Sequence, residues 1–282
     1  MKLSAFVCII NPEYWEFPYL EAIRSYCDLC DEVIVIDSGS TDGSLQKIVK
    51  ISDKIKTVYS KWPWEFKQRE YPIHYNQGFD LCTGDWKLKM DIDFIIDDRD
   101  IAGIRKRLED NMDKAMATFQ RHNVFNKSQY YDKGKMPTAL NSKFPNIKVG
   151  VPDNETKTDW TIPVVAREYI NGVPYGARVP KEQILDMGIP IWNYDCTFRT
   201  KDKCKTWFQR IARGYARDGV TPLYGDGDDK AWEAWIRNRT KRKENTPMKD
   251  MKIDHHPSYI RDKIGSMTPD LWGFDNWKWE LD

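Results

Sequence analysis

Two aspartates separated by one residue, Asp91 and Asp93, close a strand-like run that begins at Trp86. In an extended chain alternate side chains share a face, so both carboxylates can point the same way at the strand end. Hard oxygen ligands of this kind suit Mg²⁺ or Mn²⁺, and the pair could hold such an ion against a diphosphate. The same spacing is common in solvated strand ends and turns, so it needs support from elsewhere in the chain.

A second polar cluster follows the β-branched run at residues 33–36. This run is apolar at every position, which is typical of a parallel strand covered by helices on both faces. Asp37 and Ser38 come at its carboxyl end, where nucleotides lie in open α/β sheets. The alternative is that this segment only caps the next helix, which Ser40 or Asp42 could do alone.

The hydrophobic pattern predicts the elements that position these residues. The chain opens with a strand at residues 3–10 that ends in Asn11 and Glu13, and strands and helices alternate up to about residue 120. Residues 123–159 are polar and interrupted by Gly and Pro, so we expect exposed strands and loops there. The helices are predicted at residues 19–30, 99–119, 201–217 and 228–241.

The order of these motifs resembles the inverting glycosyltransferases of family 2. The resemblance rests on the first strand, the Asp-Ser-Gly-Ser-Thr-Asp-Gly segment at residues 37–43, and Thr-Gly-Asp-Trp at residues 83–86 leading into Asp-Ile-Asp at residues 91–93. Later fragments, including Asp159-Trp160, are similar to the subgroup of lipopolysaccharide core glucosyltransferase-like enzymes. The resemblance implies an α/β protein of the GT-A fold, with a mostly parallel central sheet, helices on both faces and a C-terminal acceptor-side extension.

The resemblance also implies a division of labour along the chain. Residues 1–120 would form the nucleotide-sugar-binding half, and residues 121–282 the acceptor-binding and C-terminal half of the same catalytic domain. Family members carry Ala-Arg-Asn where this chain has His74-Tyr75-Asn76, so only Asn76 is retained. The residues expected to bind the nucleotide sugar are Asn11, Glu13, Asp37, Ser38, Asn76 and Asp91.

The expected cofactor is Mn²⁺ or Mg²⁺, held by Asp91 and Asp93. His256 precedes Pro257 in a His-Pro pair similar to one in relatives, so it could complete the metal shell or only cap a turn. For the catalytic base, the resemblance offers Glu182 first and Asp195 second. Such a base would take the proton from the attacking hydroxyl and give inversion at the anomeric carbon.

The function implied is transfer of a sugar from a nucleotide-diphosphate sugar, with UDP-sugar the first choice, to a glycan or lipid-linked acceptor. One alternative is glycosylation of hydroxymethylated bases in DNA, as in phage enzymes, because residues 237–243 are basic and follow Trp232 and Trp235. The preferred explanation of that segment is a solvated helix end, where the helix dipole favours cations. A second alternative, sugar nucleotidyl transfer, is disfavoured because the first strand lacks a Gly-rich loop for a triphosphate.

Composition limits the location of the protein. The net charge of the 282 residues is +1, which attracts no polyanion over long range. The longest apolar runs are about eight residues, far below the roughly 20 that cross a bilayer, and no signal peptide is recognised. We therefore expect a cytoplasmic protein, in the host cytoplasm if it is viral, with six reduced cysteines that serve packing. Cys27 and Cys30 share a helix face rather than forming half a zinc site. The sequence leaves the oligomeric state open.

Overall fold

The computed structural model describes residues 1–61, 71–144, 147–149, 160–162, 169–170, 173–174, 179–214 and 228–275. The strands are β1 (Leu3–Ile9), β2 (Glu32–Asp37), β3 (Ile55–Tyr59), β4 (Trp86–Met90), β5 (Phe94–Ile95), β6 (Met116–Asn126), β7 (Gln129–Asn141), β8 (Ile147–Val149), β9 (Trp160–Ile162), β10 (Tyr169–Ile170), β11 (Val173–Pro174), β12 (Ile184–Asn193) and β13 (Lys249–Asp250). The helices are α1 (Tyr19–Leu29), α2 (Ser44–Ile48), α3 (Tyr71–Leu81), α4 (Ile101–Glu109), α5 (Lys201–Gly214), α6 (Asp228–Asn245) and α7 (Ser258–Gly265).

One central sheet joins the two parts of the chain. Its strand order is β3-β2-β1-β4-β7-β6-β12-β5, and β13 pairs with β7. The pairs within β3-β2-β1-β4 are parallel, as is β6 with β12, whereas β7 runs antiparallel to β4 and β6. The predicted α/β class is confirmed, with parallel pairing among the first four strands and mixed pairing in the rest of the sheet.

Helices cover both faces of the parallel strands, as the apolar run of β2 requires. On one face α1 buries Ala22, Ile23 and Tyr26 in the larger apolar core. On the other face α3 buries Tyr75 and Phe79 against strand residues of β1 and β2. Burying one large apolar side chain contributes about 1.5–3 kcal/mol, so these two layers hold the strand ends in fixed positions.

The predicted helix at residues 99–119 is wrong in its second half. Helix α4 ends at Glu109, and β6 begins at Met116. The intervening Asp110, Asn111 and Asp113 favour turns. The residues from Met116 to Phe119 are buried at consecutive positions, as in a central strand, whereas a helix of this kind would expose one side.

The expectation of exposed strands and loops at residues 123–159 is also wrong for much of the described part. Strand β7 lies inside the sheet between β4 and β6, and Thr138, Leu140 and Asn141 are fully buried there. The polar sequence misled because buried polar side chains of this strand donate to backbone carbonyl oxygens. Asn141, for example, donates to the carbonyl oxygens of Met112 and Lys114.

The Thr83-Gly84-Asp85 turn lies at the amino edge of the sheet, away from the strand ends that follow Asp37. The carboxylate of Glu32 accepts hydrogen bonds from the backbone and hydroxyl of Thr83 and from Ser4. Burial raises the pKa of Glu32, but these bonds and Lys56 outweigh it and lower the pKa to about 2. A Cβ on Gly84 would lie 2.5 Å from Ser4 Oγ and 2.7 Å from Ser4 N, so only glycine fits here.

The C-terminal elements pack around tryptophans. Trp232 and Ile236 lie buried on one side of α6, as predicted, and Trp235 stacks on Trp232 with ring centroids 5.0 Å apart. Trp272 closes this cluster and is 2% exposed, so the described part of the C-terminal segment is attached to the domain by packing. The end of the helix predicted at residues 201–217 and the segment Asp159-Trp160 lie largely outside the described residues.

The helices and the cysteines bear on the expectations about membrane spans and about packing. In the part of the chain that the structure describes, no helix combines the length and apolar character needed to cross a bilayer. All six cysteines are free, and Cys27 and Cys30 belong to the apolar core. Their role in packing is confirmed.

Candidate active site at the carboxyl edge of the sheet

The loops after β1 and β2 are joined to each other at the carboxyl edge. Asn11 adopts a left-handed backbone conformation with φ 48°, which asparagine tolerates better than most residues. Its side-chain oxygen accepts from Thr41 N at 2.6 Å, and its backbone N donates to Ser40 Oγ at 2.9 Å. Asn11 therefore fixes the shape of the crevice between these two loops.

Asp37 and Ser38 line this crevice. The carboxylate of Asp37 accepts from Ser40 N at 3.1 Å and 3.3 Å, while Asp42 accepts from Ser44 N, the first residue of α2. Gly43 is the N-cap residue of α2, so Asp37 stays at the end of its strand and takes no part in capping that helix. Ser38 is 5% exposed, and its hydroxyl has no hydrogen-bond partner in the described structure. A buried polar atom of this kind fits a ligand contact.

Glu13 lies at the rim of the same crevice but already has partners. Its carboxylate accepts from Lys47 Nζ at 2.8 Å and from the hydroxyl of Tyr19. The hydrogen bond from Lys47 lowers the pKa of Glu13. Its side chain is 42% exposed, so a ligand could reach it only in competition with Lys47.

Asp91 and Asp93 follow β4 in a turn, and the expected extended geometry is wrong. The backbone N of Phe94 donates to the carbonyl oxygen of Asp91 at 3.1 Å, which closes the turn. The chain bends here because β5 leaves β4 and pairs with β12. Asp91 Oδ1 accepts from the hydroxyl of Tyr75 at 2.8 Å and from Lys89 Nζ at 3.3 Å.

Asp93 is buried beside two other carboxylates. Burial and, to a smaller extent, the neighbouring charges of Asp195 and Asp91 together raise its pKa to about 8, against an opposing effect of Arg199. The backbone N of Tyr194 donates to the carbonyl oxygen of Asp93 at 2.9 Å, which brings the end of β12 to this turn. The fold therefore brings Asp195 close to Asp91 and Asp93, although it lies about 100 residues later in the sequence.

Asp195 is the more accessible member of this group. Its side chain is 39% exposed, and Arg199 Nη1 donates to its Oδ1 at 3.3 Å. Arg199 is fully buried, donates from Nε to the carbonyl oxygen of Trp15, and packs on the ring of Phe17. This rigid arginine fixes the orientation of the Asp195 carboxylate.

Glu182, the first choice for the base, is not brought to the site, and that expectation is wrong. It is exposed and precedes β12, whose first residue pairs with Met116 at the amino edge of the sheet. The ten residues of β12 rise about 3.3 Å each, so about 30 Å separates the two ends of this strand. A base must lie within hydrogen-bond reach of the reacting hydroxyl, which Asp195 can do and Glu182 cannot.

Asn76 and His256 also differ from the expectation, because their side chains are already occupied. Asn76 donates to the carbonyl oxygen of Val149 at 2.7 Å and accepts from its backbone N at 3.0 Å, so it joins α3 to β8. His256 is fully buried, with Nε2 3.1 Å from the carbonyl oxygen of Lys127 and Nδ1 2.8 Å from the Tyr194 hydroxyl. A carbonyl can only accept, so Nε2 carries the proton and Nδ1 accepts from Tyr194. His256 has no free nitrogen for a metal.

Three cations surround the carboxylates, and the sequence reasoning missed them. Lys89 is 2% exposed and contacts Asp91, while Arg199 contacts Asp195. Arg121 on β6 is 8% exposed and close enough to the three aspartates that their charges raise its pKa, against the larger lowering by burial. A lysine within a strand that is otherwise buried was a usable signal for Lys89. Arg121 lay just beyond the wrongly assigned helix.

Asp91 and Asp93 have the side-chain chemistry to hold a divalent cation. Within the described ranges, no three His, Cys, Asp or Glu side chains form a complete metal site. Burial and the charges of Asp195 and Asp91 raise the pKa of Asp93, and a divalent ion held by Asp91 and Asp93 would offset the repulsion among these carboxylates. Mg²⁺ usually takes one or two carboxylates and completes its shell with water and substrate phosphates, so two aspartates suffice.

The fold and this edge define a class: α/β proteins with polar loops and acidic side chains beyond the carboxyl ends of parallel strands. The family model described as Glycosyl transferase family 2 matches residues 9–160, more than half of the chain. The chain belongs to this family.

Individual similar proteins match more weakly. The lipopolysaccharide core biosynthesis glycosyltransferase LpsC of Rhizobium meliloti is 26% identical over 100 residues, which are 34% of this chain and 33% of that protein. The crystal structure of S. aureus TarS is similar with a TM-score of 0.45 and 13% identity, over 87% of this chain and 44% of that one. TarS 1-349 in complex with UDP-GlcNAc has a TM-score of 0.43 and 14% identity, over 87% and 73%. The chain thus spans about a third of LpsC and less than half of TarS.

Proposed function

We propose that this protein is an inverting glycosyltransferase that moves a sugar from a nucleotide-diphosphate sugar to an acceptor hydroxyl. The observation that carries the proposal is the convergence of Asp91, Asp93 and Asp195 beside the Asp37 crevice in a chain of glycosyl transferase family 2. UDP-sugars are the first donors to test, and a glycan or lipid-linked hydroxyl is the first acceptor class.

The nucleoside would lie over the ends of β1 and β2. Asp37 and the unpartnered hydroxyl of Ser38 are available there for the ribose and base, and Asn11 holds the two loops together. Because the loops are already hydrogen-bonded to each other, binding would require little reorganisation of the protein. Glu13 would contribute only if it leaves Lys47.

Asp91 and Asp93 would hold Mn²⁺ or Mg²⁺ against the diphosphate. The bound ion would supply electrostatic stabilisation of the charge that develops on the leaving diphosphate. Tyr75 and Lys89 fix one oxygen of Asp91. Lys89 places a positive charge beside this position, in a chain that has Tyr75 where relatives have arginine.

Asp195 would act as the general base. Its carboxylate can accept the proton of the attacking hydroxyl while Arg199 holds its orientation. Attack on the face opposite the leaving diphosphate would invert the anomeric carbon. The exposure of Asp195, in contrast to the burial of Asp93, gives an acceptor access to it.

A thermal-shift series tests the proposal. Wild type and Asp93→Asn are melted with UDP-, GDP-, CMP- and dTDP-sugars, each with and without Mn²⁺. We expect one nucleotide class to raise Tm of wild type in a Mn²⁺-dependent way, because a ligand that binds only the native state stabilises it. The shift should vanish in Asp93→Asn. An equal shift in both proteins would remove Asp93 from the site, and no shift with any nucleotide would reject the glycosyltransferase.

DNA is the second candidate acceptor, after a glycan or lipid-linked hydroxyl, and this alternative depends on the basic end of α6. Arg239 packs over the rings of Phe125 and Trp235, so this cation already has a structural role. Lys241 is exposed, as expected for a cation at the carboxyl end of a helix. If a Lys241→Glu variant loses turnover on hydroxymethylated DNA but keeps turnover on glycans, DNA becomes the first candidate acceptor.

A further inference from the structure

Two polar side chains on one face of β6 carry buried atoms without partners. Arg121 is 8% exposed, and its Nη2 has no hydrogen-bond partner in the described structure. The same holds for Oδ1 of Asn123, two residues further along. The pairing of this stretch with Ile191 and Asn193 of β12 is unbroken, so Arg121 and Asn123 point to the same side.

Tyr131 holds this pair in place from the neighbouring strand. It lies directly opposite Asn123 in the β6 and β7 ladder and is 3% exposed. Asn123 donates from Nδ2 to the Tyr131 hydroxyl at 3.2 Å, which leaves Oδ1 as the free atom of the amide. The arrangement is thus a built polar site on rigid strands.

The site lies next to the proposed chemistry. Asn193, which is paired with Asn123, accepts from the backbone N of Asp195 at 3.0 Å. The charges of Asp91, Asp93 and Asp195 all act on the Arg121 guanidinium. Arg121 and Asn123 therefore lie near Asp91 and Asp93, the proposed ligands of the metal ion, and near Asp195, the proposed base.

The free atoms restrict the chemistry of a ligand. Arg121 Nη2 can only donate, and Asn123 Oδ1 can only accept. A phosphate or carboxylate accepts and does not donate, so it would satisfy Arg121 and leave Asn123 unpaired. Three neighbouring aspartates also oppose an anion. A hydroxyl group both accepts and donates, so two hydroxyls on adjacent carbons can satisfy both atoms.

We propose that Arg121 and Asn123, held by Tyr131, form a subsite that binds neighbouring hydroxyl groups of a pyranose ring beside Asp195. The inference rests on the proposed function and adds a sugar-specificity site to it. The pyranose can come from two sources, the sugar of the nucleotide donor or the sugar of the acceptor. Both sources bring the same chemistry, and binding measurements separate them.

The first arm measures the donor. Titration calorimetry compares UDP with UDP-GlcNAc, UDP-glucose and UDP-galactose on wild type, Arg121→Lys and Asn123→Leu, with Arg237→Gln on the exposed face of α6 as the control. Arg121→Lys keeps the charge near the aspartates but removes the Nη2 donor. If the donor sugar fills the subsite, both variants bind the preferred UDP-sugar about 10- to 100-fold more weakly, because each loses a buried hydrogen bond, and bind UDP within twofold of wild type.

The second arm measures the acceptor. Each UDP-saturated protein is applied to a panel of immobilised oligosaccharides. If the acceptor sugar fills the subsite, binding to the glycans that wild type retains falls by a similar factor in both variants, while the affinity for UDP-sugars is unchanged. Melting curves without ligand check that the variants fold.

Unchanged binding of the two folded variants in both arms would overturn the subsite and assign the free atoms to ordered water. Loss of UDP binding itself in Arg121→Lys would also overturn it, because the arginine would then bind the diphosphate. If wild type binds no nucleotide in any titration, the proposed function fails first, and the subsite falls with it.

Discussion

Asp195 and Glu182 are both carboxylates that the sequence offers as the base, and their positions separate them. Asp195 is held by Arg199 at the carboxyl edge, next to Asp93. Glu182 stands before the first residue of β12, and its backbone carbonyl oxygen accepts from Lys114 Nζ. At this scale, the geometry around a single side chain decides its possible role.

The first prediction concerns these two residues. Asp195→Asn should lower kcat by about 10²–10⁴-fold with little change in donor affinity, because a general base contributes by that factor and the amide cannot take a proton. Glu182→Gln should remain within about twofold of wild type. Steady-state kinetics and donor titration on both variants check this. A larger loss in Glu182→Gln than in Asp195→Asn would reverse the assignment.

The second prediction concerns His256, whose buried ring is neutral in the folded protein. Burial lowers its pKa from 6.5 to about 4. The His256 side chain is protonated at a higher pH in the unfolded chain than in the folded protein. The contribution of neutral His256 to the free energy of unfolding is therefore complete above pH 6.5 and is lost as the pH falls towards 4. His256→Gln should be destabilised by about 1–3 kcal/mol at pH 7 and should lose less stability than wild type over this pH range.

Denaturant unfolding at several pH values tests the role of His256, with the half-exposed His255→Gln as the matched control. The Mn²⁺-dependent thermal shift with a nucleotide sugar is the second readout. It should persist in His256→Gln, since both ring nitrogens are already bonded within the protein. Loss of this shift in a folded His256→Gln variant would indicate that His256 contributes to metal binding.

At the scale of elements, the Thr-Gly-Asp-Trp motif has a structural role. Its turn packs on the start of β1, where the N of Gly84 donates to Ser4 Oγ at 2.7 Å. The backbone N of Lys2 also donates to the carboxylate of Asp85 at 2.7 Å. The motif thus fixes where β4 begins, and through the five residues of β4 it fixes where Asp91 emerges.

The third prediction follows from that packing. Gly84→Ala should lower the free energy of unfolding by about 1–3 kcal/mol, because the added Cβ meets backbone and side-chain atoms of Ser4 that have little room to move. Gly265→Ala, with open space around its Cβ, should change stability by about 0.5 kcal/mol or less. Urea unfolding of the two variants checks the difference, and equal effects would show that the turn relaxes freely.

At the scale of the whole molecule, the central sheet continues without interruption across residue 120, where the sequence suggested a boundary between two halves. Strand β6 runs from Met116 to Asn126 across that position, and β7 and β12 continue the sheet from the parallel strands. The assignment of a nucleotide half and an acceptor half therefore stays a prediction about function. The hydrogen-bonded ladder itself is continuous.

The fourth prediction is a single cooperative thermal transition. Strands from both halves share ladders, so neither half can lose its structure without breaking the pairs of the other. Tryptophan fluorescence, far-UV circular dichroism and calorimetry should give the same Tm, with equal van't Hoff and calorimetric enthalpies. Two separate transitions in the same melting curve, of which only one shifts when a nucleotide sugar is added, would instead identify two folding units.

Much of the first 100 residues could be predicted from the sequence, because local patterns decide there. Continuous apolar runs indicate buried parallel strands, and small polar residues after them indicate the crevice loops. The second half could not be predicted equally well. Polar strands such as β7 become central only through partners that are distant in the chain.

The sequence by itself determined the α/β class, the family motifs and the positions of Asp37, Asp91 and Asp93 at strand ends. These depend on periodicity and turn chemistry, which are local. Only the tertiary structure decided that Asp195 joins them, that Glu182 and His256 do not, and that Arg121 and Asn123 keep unpaired atoms beside them. Those outcomes depend on strand order and register, and a position along the chain does not specify which residues a sheet brings together.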